Sequence, residues 1–245
     1  MSVLLIRLAG PMQAWGTQSR FSIRDTGLEP SKSGVIGLLC AALGKPRNEG
    51  LAHGDWPALA ELGQLTMAVR VDRPGVMARD FHTALDVIKA SGKRPSREKD
   101  PKFTSTSMRY YLADADFLVG LQGPTGLLER LHQALGDPVW PLYLGRKSFV
   151  PSLPVRISDG LLDAPLPEAL KAQPWYKRTP YEHPGDALRI VMEVPYGADG
   201  EVRNDRPLNF VSADRLFGVR RVRDIEPWPV PDELIKEWPP CTCRN

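Results

Sequence analysis

The feature that most constrains this chain is a short apolar run, Val3-Leu4-Leu5-Ile6-Arg7-Leu8-Ala9, that stops abruptly at Gly10-Pro11-Met12-Gln13-Ala14-Trp15-Gly16. The run reads as a strand. Pro11 fixes its own φ and restricts the residue before it, while Gly10 and Gly16 permit positive φ or close backbone approach. A strand that ends in such a turn presents its loop at a sheet edge, where a ligand can reach it. Between the glycines stand one flat aromatic, Trp15, and one amide, Gln13. Trp15 either plugs the core or faces a ligand, and its setting between glycines keeps the second reading open.

Downstream, Ser31 or Ser33 caps a short buried helix over the run Gly34 to Leu43, and Gly44 suits its C-terminal left-handed position. Leu65 to Val71 reads as a second strand and Tyr110 to Leu121 as a third, the strongest strand signal in the chain. Leu127, Leu128, Leu131 and Leu135 recur at helical spacing up to Gly136-Asp137-Pro138, and a further strand is expected from roughly Leu142. The segment from Arg73 to Ser107 has few large apolar residues and several breakers, so it reads as a projecting hairpin or arm. The order strand, helix, strand, arm, strand, helix, strand matches a split βαβ, ferredoxin-like unit over residues 1–150. Residues 151–245 read as an irregular, proline-rich linker followed by a smaller β-rich part, with strands at Ala187–Val194 and Leu216–Val222.

Charge is unevenly spread. The net charge is only +3, but Arg70 to Tyr110 holds ten Lys or Arg against five acids. A phosphate-facing element follows better from that concentration than from the global balance. The three cysteines, Cys40, Cys241 and Cys243, make neither a disulfide framework nor a zinc site. A reduced, cytoplasmic chain is expected, with no signal peptide and no stretch long enough to span a membrane. Four scattered histidines and no nucleophile elbow, phosphate loop or metal spacing leave enzyme chemistry and cofactors poorly supported.

Three cationic clusters sit at element boundaries. Lys32 and Ser33 lie at the entry to the first helix, where free N–H groups and the helix dipole favour an anion. Arg109 precedes Tyr110 and Tyr111, which can combine phosphate contact with base stacking. Gly145-Arg146-Lys147-Ser148 offers two cations and a hydroxyl on a tight turn. His82 lies at the root of the arm, where it can donate a hydrogen bond to phosphate or base, or act as a general base.

In this order the segments Leu8 to Gly16, Pro30 to Gly34, Asp80-Phe81-His82-Thr83, Arg109 to Ala115 and Leu142 to Ser148 resemble a known family. They are similar to the CasD-type subunits of type I-E Cascade, CRISPR-associated RAMP proteins of the fifth Cas family. The resemblance implies a ferredoxin-like (RRM-type) palm in an α+β fold with a protruding β-hairpin thumb, here at about 73–107. It implies a non-catalytic subunit that holds the 5′ handle of crRNA and caps the backbone filament. Its partners would be the backbone subunit and the large PAM-reading subunit, with target DNA met indirectly. On this reading Gln13, Trp15, Lys32, Ser33, His82, Arg109, Tyr110, Arg146 and Lys147 line the RNA surface. The other class is a metal-independent endoribonuclease, with His82 as base and Lys32 or Lys147 stabilising the transition state. The chain departs from the family at Phe149, where cysteine is common.

Overall fold

The expected first strand is β1 (Ser2–Ala9), and all eight of its residues are buried. Its alternate side chains serve two cores: Leu4, Ile6 and Leu8 enter one, Val3 and Leu5 the other. A strand covered on both faces reads as a continuous apolar run, and fully burying each such side chain contributes about 1.5–3 kcal/mol. The computed structural model describes residues 2–19, 22–48, 50, 54–85 and 104–238.

After β1 come β2 (Met12–Gln13), β3 (Ile23–Arg24), α1 (Lys32–Leu43), α2 (Leu59–Gln64) and β4 (Thr66–Arg73). The middle of the chain forms β5 (Val76–Leu85), β6 (Thr104–Ala113), β7 (Asp116–Gly123), α3 (Thr125–Gly136) and β8 (Arg156–Leu162). The last part supplies α4 (Leu166–Ala172), β9 (Trp175–Lys177), β10 (Arg189–Val194), β11 (Glu201–Asn209), β12 (Leu216–Asp224) and β13 (Ile235–Glu237). The result is a mixed α+β fold with mostly antiparallel pairing. A seven-stranded sheet runs β11-β12-β10-β4-β7-β1-β8. A second sheet is organised on β6, which pairs with β2, β3 and β5, and β9 pairs in parallel with β13.

Helix α1 begins as its sequence dictates: the Ser31 side chain accepts from Gly34 N–H, and Gly44 closes it at φ 69°. Helices α1 and α3 cover the β1, β4 and β7 face that carries Ile6, Val69 and Val119, with Leu128, Leu131 and Leu135 of α3 turned inward. Helix α4 covers the opposite face through Leu166, Ala169 and Leu170. Arg7 lies buried on β1 and donates to Asp72 at 3.1 Å and Asp116 at 3.0 Å. Arg70 is fully buried and donates to Asp72 at 2.6 Å, and Arg73 reaches Asp116 at 3.1 Å and Glu182 at 2.7 Å.

Several expectations are corrected. The single strand expected over Tyr110–Leu121 is two, because Asp114 turns the chain at φ 58° between β6 and β7. Arg109 therefore lies inside β6 rather than opening a strand. No strand starts at Leu142: Val139 N–H and Trp140 N–H are donated to the α1 carbonyls of Ala42 and Ala41, and Leu144 pairs with Phe149 in a tight turn. The proline-rich stretch after 151 is not a linker, since β8 hydrogen-bonds to β1 as an edge strand. The strands β10, β12 and β11 extend the same sheet from β4, so the segment after 150 does not build a separate sheet of its own from them. Of the expected basic arm, β5 and β6 form a ten-pair antiparallel ribbon. Lys89, Lys93, Arg94, Arg97, Lys99 and Lys102 lie outside the described residues. Arg70 and Arg73, counted toward the basic patch, are held in the core ion pairs. Among the described residues no helix is long and apolar enough to cross a membrane.

Candidate nucleic-acid interface

Three segments far apart in sequence meet beside β6: the 10–16 loop, the stretch 23–27 and the turn 144–149. Ala14 N–H is donated to Leu144 O at 3.1 Å, Gly27 N–H to Trp15 O at 3.1 Å, and Trp15 N–H to Thr26 Oγ1 at 2.9 Å. The approach is so close that a Cβ on Gly145 would collide with the Ala14 carbonyl oxygen, and one on Gly16 with that of Asp25. Gly145 also has φ 89°, a conformation that disfavours any side chain.

The three segments and β6 enclose an open cleft of about 300 Å³, whose walls include Gly16, Ser19, Arg24, Asp25, Arg109 and Arg146. Arg24 and Arg109 are register partners on the parallel strands β3 and β6. Arg146 Nη2 donates to Tyr110 O at 2.8 Å, and its guanidinium lies 5.3 Å from the centre of the Phe149 ring. Phe149 in turn packs on Tyr111 at 5.8 Å. Burial first, then the charges of Arg109 and Arg24, hold the Arg146 pKa below its ordinary value despite the opposing effect of Asp80. Among the described residues none of these three arginines forms an ion pair. Three guanidiniums that repel one another in a half-enclosed cleft make a site whose electrostatics improve when an anion enters.

The remaining expected residues are placed differently. Gln13 is fully buried, and its Nε2 donates to Leu8 O and Ala115 O, each at 2.8 Å. Trp15 is 2% exposed, and its Nε1 donates to Gln13 Oε1. The ligand-facing reading of both side chains is corrected: they hold the loop in shape from inside. Lys32 is also corrected, being 1% exposed with Nζ 2.9 Å from both Glu193 oxygens, while its N–H is donated to Asp205 at 2.8 Å. The anion at that helix start is thus a side chain of the protein itself. Burial pulls the Lys32 pKa down, with Glu193 opposing. Ser33 follows it in α1, half-buried.

Along β6 successive side chains alternate in direction, so Arg109 and Tyr110 face opposite sides of the ribbon. The residue sharing the Arg109 face is Tyr111, together with Asp80 and His82 through the pairs Asp80↔Arg109 and His82↔Ser107. His82 Nδ1 lies 3.9 Å from Asp80 Oδ2, too far for a hydrogen bond. Lys147 is exposed on the 144–149 turn. With its ammonium held by Glu193, Lys32 is not available to assist a cleavage step at His82. Among the described residues no cluster of three His, Cys, Asp or Glu could hold a metal ion. Sequence reasoning missed Arg24, Asp25 and Ser19 as site residues. The two-residue strand β3 carries no periodicity, and the demand for Gly16 opposite Asp25 is visible only in three dimensions.

A model of the CRISPR-associated Cas5 protein family matches residues 3–223. The chain belongs to this family. The Cas5 assignment agrees with a curated relative, the CRISPR system Cascade subunit CasD of Escherichia coli (strain K12), which is 38% identical over 158 residues. That match spans 60% of this chain and 66% of the relative, just under two thirds of its length. Two solved structures are similar over nearly the whole chain. A crystal structure of a Cas protein is 42% identical, with a TM-score of 0.71, covering 97% of this chain and 100% of that one. A chain from a CRISPR RNA-guided surveillance complex is 37% identical, with a TM-score of 0.68, covering 95% of this chain and 92% of that one.

Proposed function

We propose that this Cas5 protein is a non-catalytic RNA-binding subunit of a Cascade surveillance complex, working in the cytoplasm. It holds the 5′ handle of crRNA and caps the backbone filament. Its neighbours are the backbone subunit and the large PAM-reading subunit, and it meets target DNA only indirectly. The observation that carries this reading is the convergence of Arg24, Arg109 and Arg146 on one open cleft, none of them in an ion pair among the described residues. A splayed single strand offers phosphates to such a site, and its bases remain free to be read. Similarity to a chain of an RNA-guided surveillance complex supports the same assembly.

The order β4-β7-β1-β8, with α1 and α3 on one face, is that of a split βαβ unit and supports a ferredoxin-like palm. The β5–β6 ribbon is the thumb. His82 stands on the Arg109 face of this ribbon, and Lys147 beside Arg146, where both add contacts to the RNA backbone. Tyr110 faces the other side of the ribbon and serves a second contact.

The test is binding of fluorescently labelled handle RNA at several salt concentrations. Arg109→Ala with Arg146→Ala weakens affinity and flattens the dependence of log K on log salt by about 0.7 for each phosphate no longer neutralised. An unchanged affinity and slope would remove this cleft from the RNA surface.

A further inference from the structure

The arginine cleft also contains a fixed carboxylate that a phosphate site does not need. Asp25 lines the cleft with Arg24, Arg109 and Arg146, yet among the described residues it forms no ion pair with them. Ser19 Oγ donates to its Oδ1 at 2.8 Å, and Gly16 leaves room for that same oxygen, which a Cβ there would approach to 2.8 Å. The flanking backbone is tied to the 10–16 loop by the Trp15 to Thr26 and Gly27 to Trp15 bonds, at 2.9 and 3.1 Å. The Ser19 bond therefore orients Oδ1 on a backbone tied to the 10–16 loop, and no bond to Oδ2 is present among the described residues.

We propose that Asp25 reads the base of the nucleotide whose phosphate the arginines hold, and that the base is guanine. The inference rests on the RNA-binding reading of the cleft and deepens it. An ionised carboxylate only accepts hydrogen bonds. The Watson–Crick edge of guanine presents two adjacent donors, N1–H and N2–H, which match two carboxylate oxygens. Uracil presents one donor flanked by two carbonyl oxygens, which would face Asp25 with like partial charge. Discrimination thus comes from an attraction and a repulsion together. A cleft of about 300 Å³ sits at the small end of ligand sites and suits a single nucleotide.

The experiment compares oligouridine RNA with the same RNA carrying one central guanosine, bound to the full-length chain. Wild type is expected to bind the guanosine-containing RNA roughly tenfold more tightly, the scale of one good bidentate base contact. Asp25→Ala abolishes this preference while binding oligouridine at least as well, because one negative charge has left the cleft. Asp25→Asn, which keeps the Ser19 bond and the shape, also loses the preference, since an amide can donate to uracil. Equal binding of both RNAs by wild type, with affinity still lowered by Arg109→Ala and Arg146→Ala, overturns the base-reading role and leaves handle binding standing. A preference that survives in Asp25→Ala overturns it as well. No binding of either RNA by wild type would instead defeat the RNA-binding reading, and this inference with it.

Discussion

The indole Nε1 of Trp15 donates to Gln13 Oε1 at 3.1 Å, two residues away on the same loop and out of contact with solvent. The Gln13 amide then directs both of its N–H groups to Leu8 O and Ala115 O, joining the end of β1 to the turn before β7. One side chain thus fixes an indole, a strand end and a neighbouring turn.

Gln13→Ala should leave the buried Trp15 N–H without its acceptor and Leu8 O without the amide bond, while Ala115 O keeps the longer bond from Gly10 N–H at 3.4 Å. The expected cost is about 3 kcal/mol, seen as a fall of roughly 10 °C in Tm by calorimetry. Trp15→Phe should cost less and leave the RNA affinity of the folded protein unchanged. A large affinity loss in Trp15→Phe with an unchanged Tm would return the indole to the RNA surface.

Two glycines separate close approach from simple flexibility. Gly145→Ala should destabilise by at least about 2 kcal/mol, because it adds strain at positive φ to a collision with Ala14 O. It should also weaken RNA binding by moving Arg146. A methyl group added at Gly126 of α3 would meet nothing within 4 Å, so Gly126→Ala should be neutral or stabilise by up to about 1 kcal/mol. Paired denaturant titrations check both signs.

Asp205 is buried, which raises its pKa, but the hydrogen bond and charge of Arg220, the Lys32 N–H and Arg203 together hold it below the usual 3.8. A carboxyl with a depressed folded-state pKa contributes stability that is present above 3.8 and lost as pH falls through the folded value. Asp205→Asn should therefore be clearly less stable than wild type at neutral pH. The gap should narrow as pH falls below 3.8, read by urea denaturation across that range. A gap independent of pH would mean that the charge of Asp205 is not what matters.

Phe149 supports the Arg146 guanidinium from 5.3 Å. Phe149→Leu should keep most of the apolar packing and remove the cation–π interaction. A loss of about 1 kcal/mol, or roughly fivefold in RNA affinity, is expected from a partly shielded pair. Isothermal titration with handle RNA measures it, and wild-type affinity in a folded Phe149→Leu would show that Arg146 needs no such support.

The strand at β1, the capped helix α1 and the leucine-spaced helix α3 were legible in the chain as local patterns of period or capping, and the arm was legible from its few large apolar residues and its breakers. Arg109, Arg146 and the glycines at 10, 16 and 145 could likewise be picked out by type and position. What tertiary structure alone decided was where these side chains point. Asp114 split the strongest strand signal in two, and β8 took its place at the edge of a sheet whose other strands fix its register. Lys32 and Arg70 counted among the anion-facing cations until burial set Lys32 against Glu193, far away in sequence, and Arg70 against Asp72 on its own strand. Arg24 and Asp25 carry no local signal, and only the close approaches at Gly16 and Gly145 bring three segments together around them. Periodicity and caps are properties of neighbours in sequence, whereas the partner that neutralises a charge or leaves it free is a property of neighbours in space.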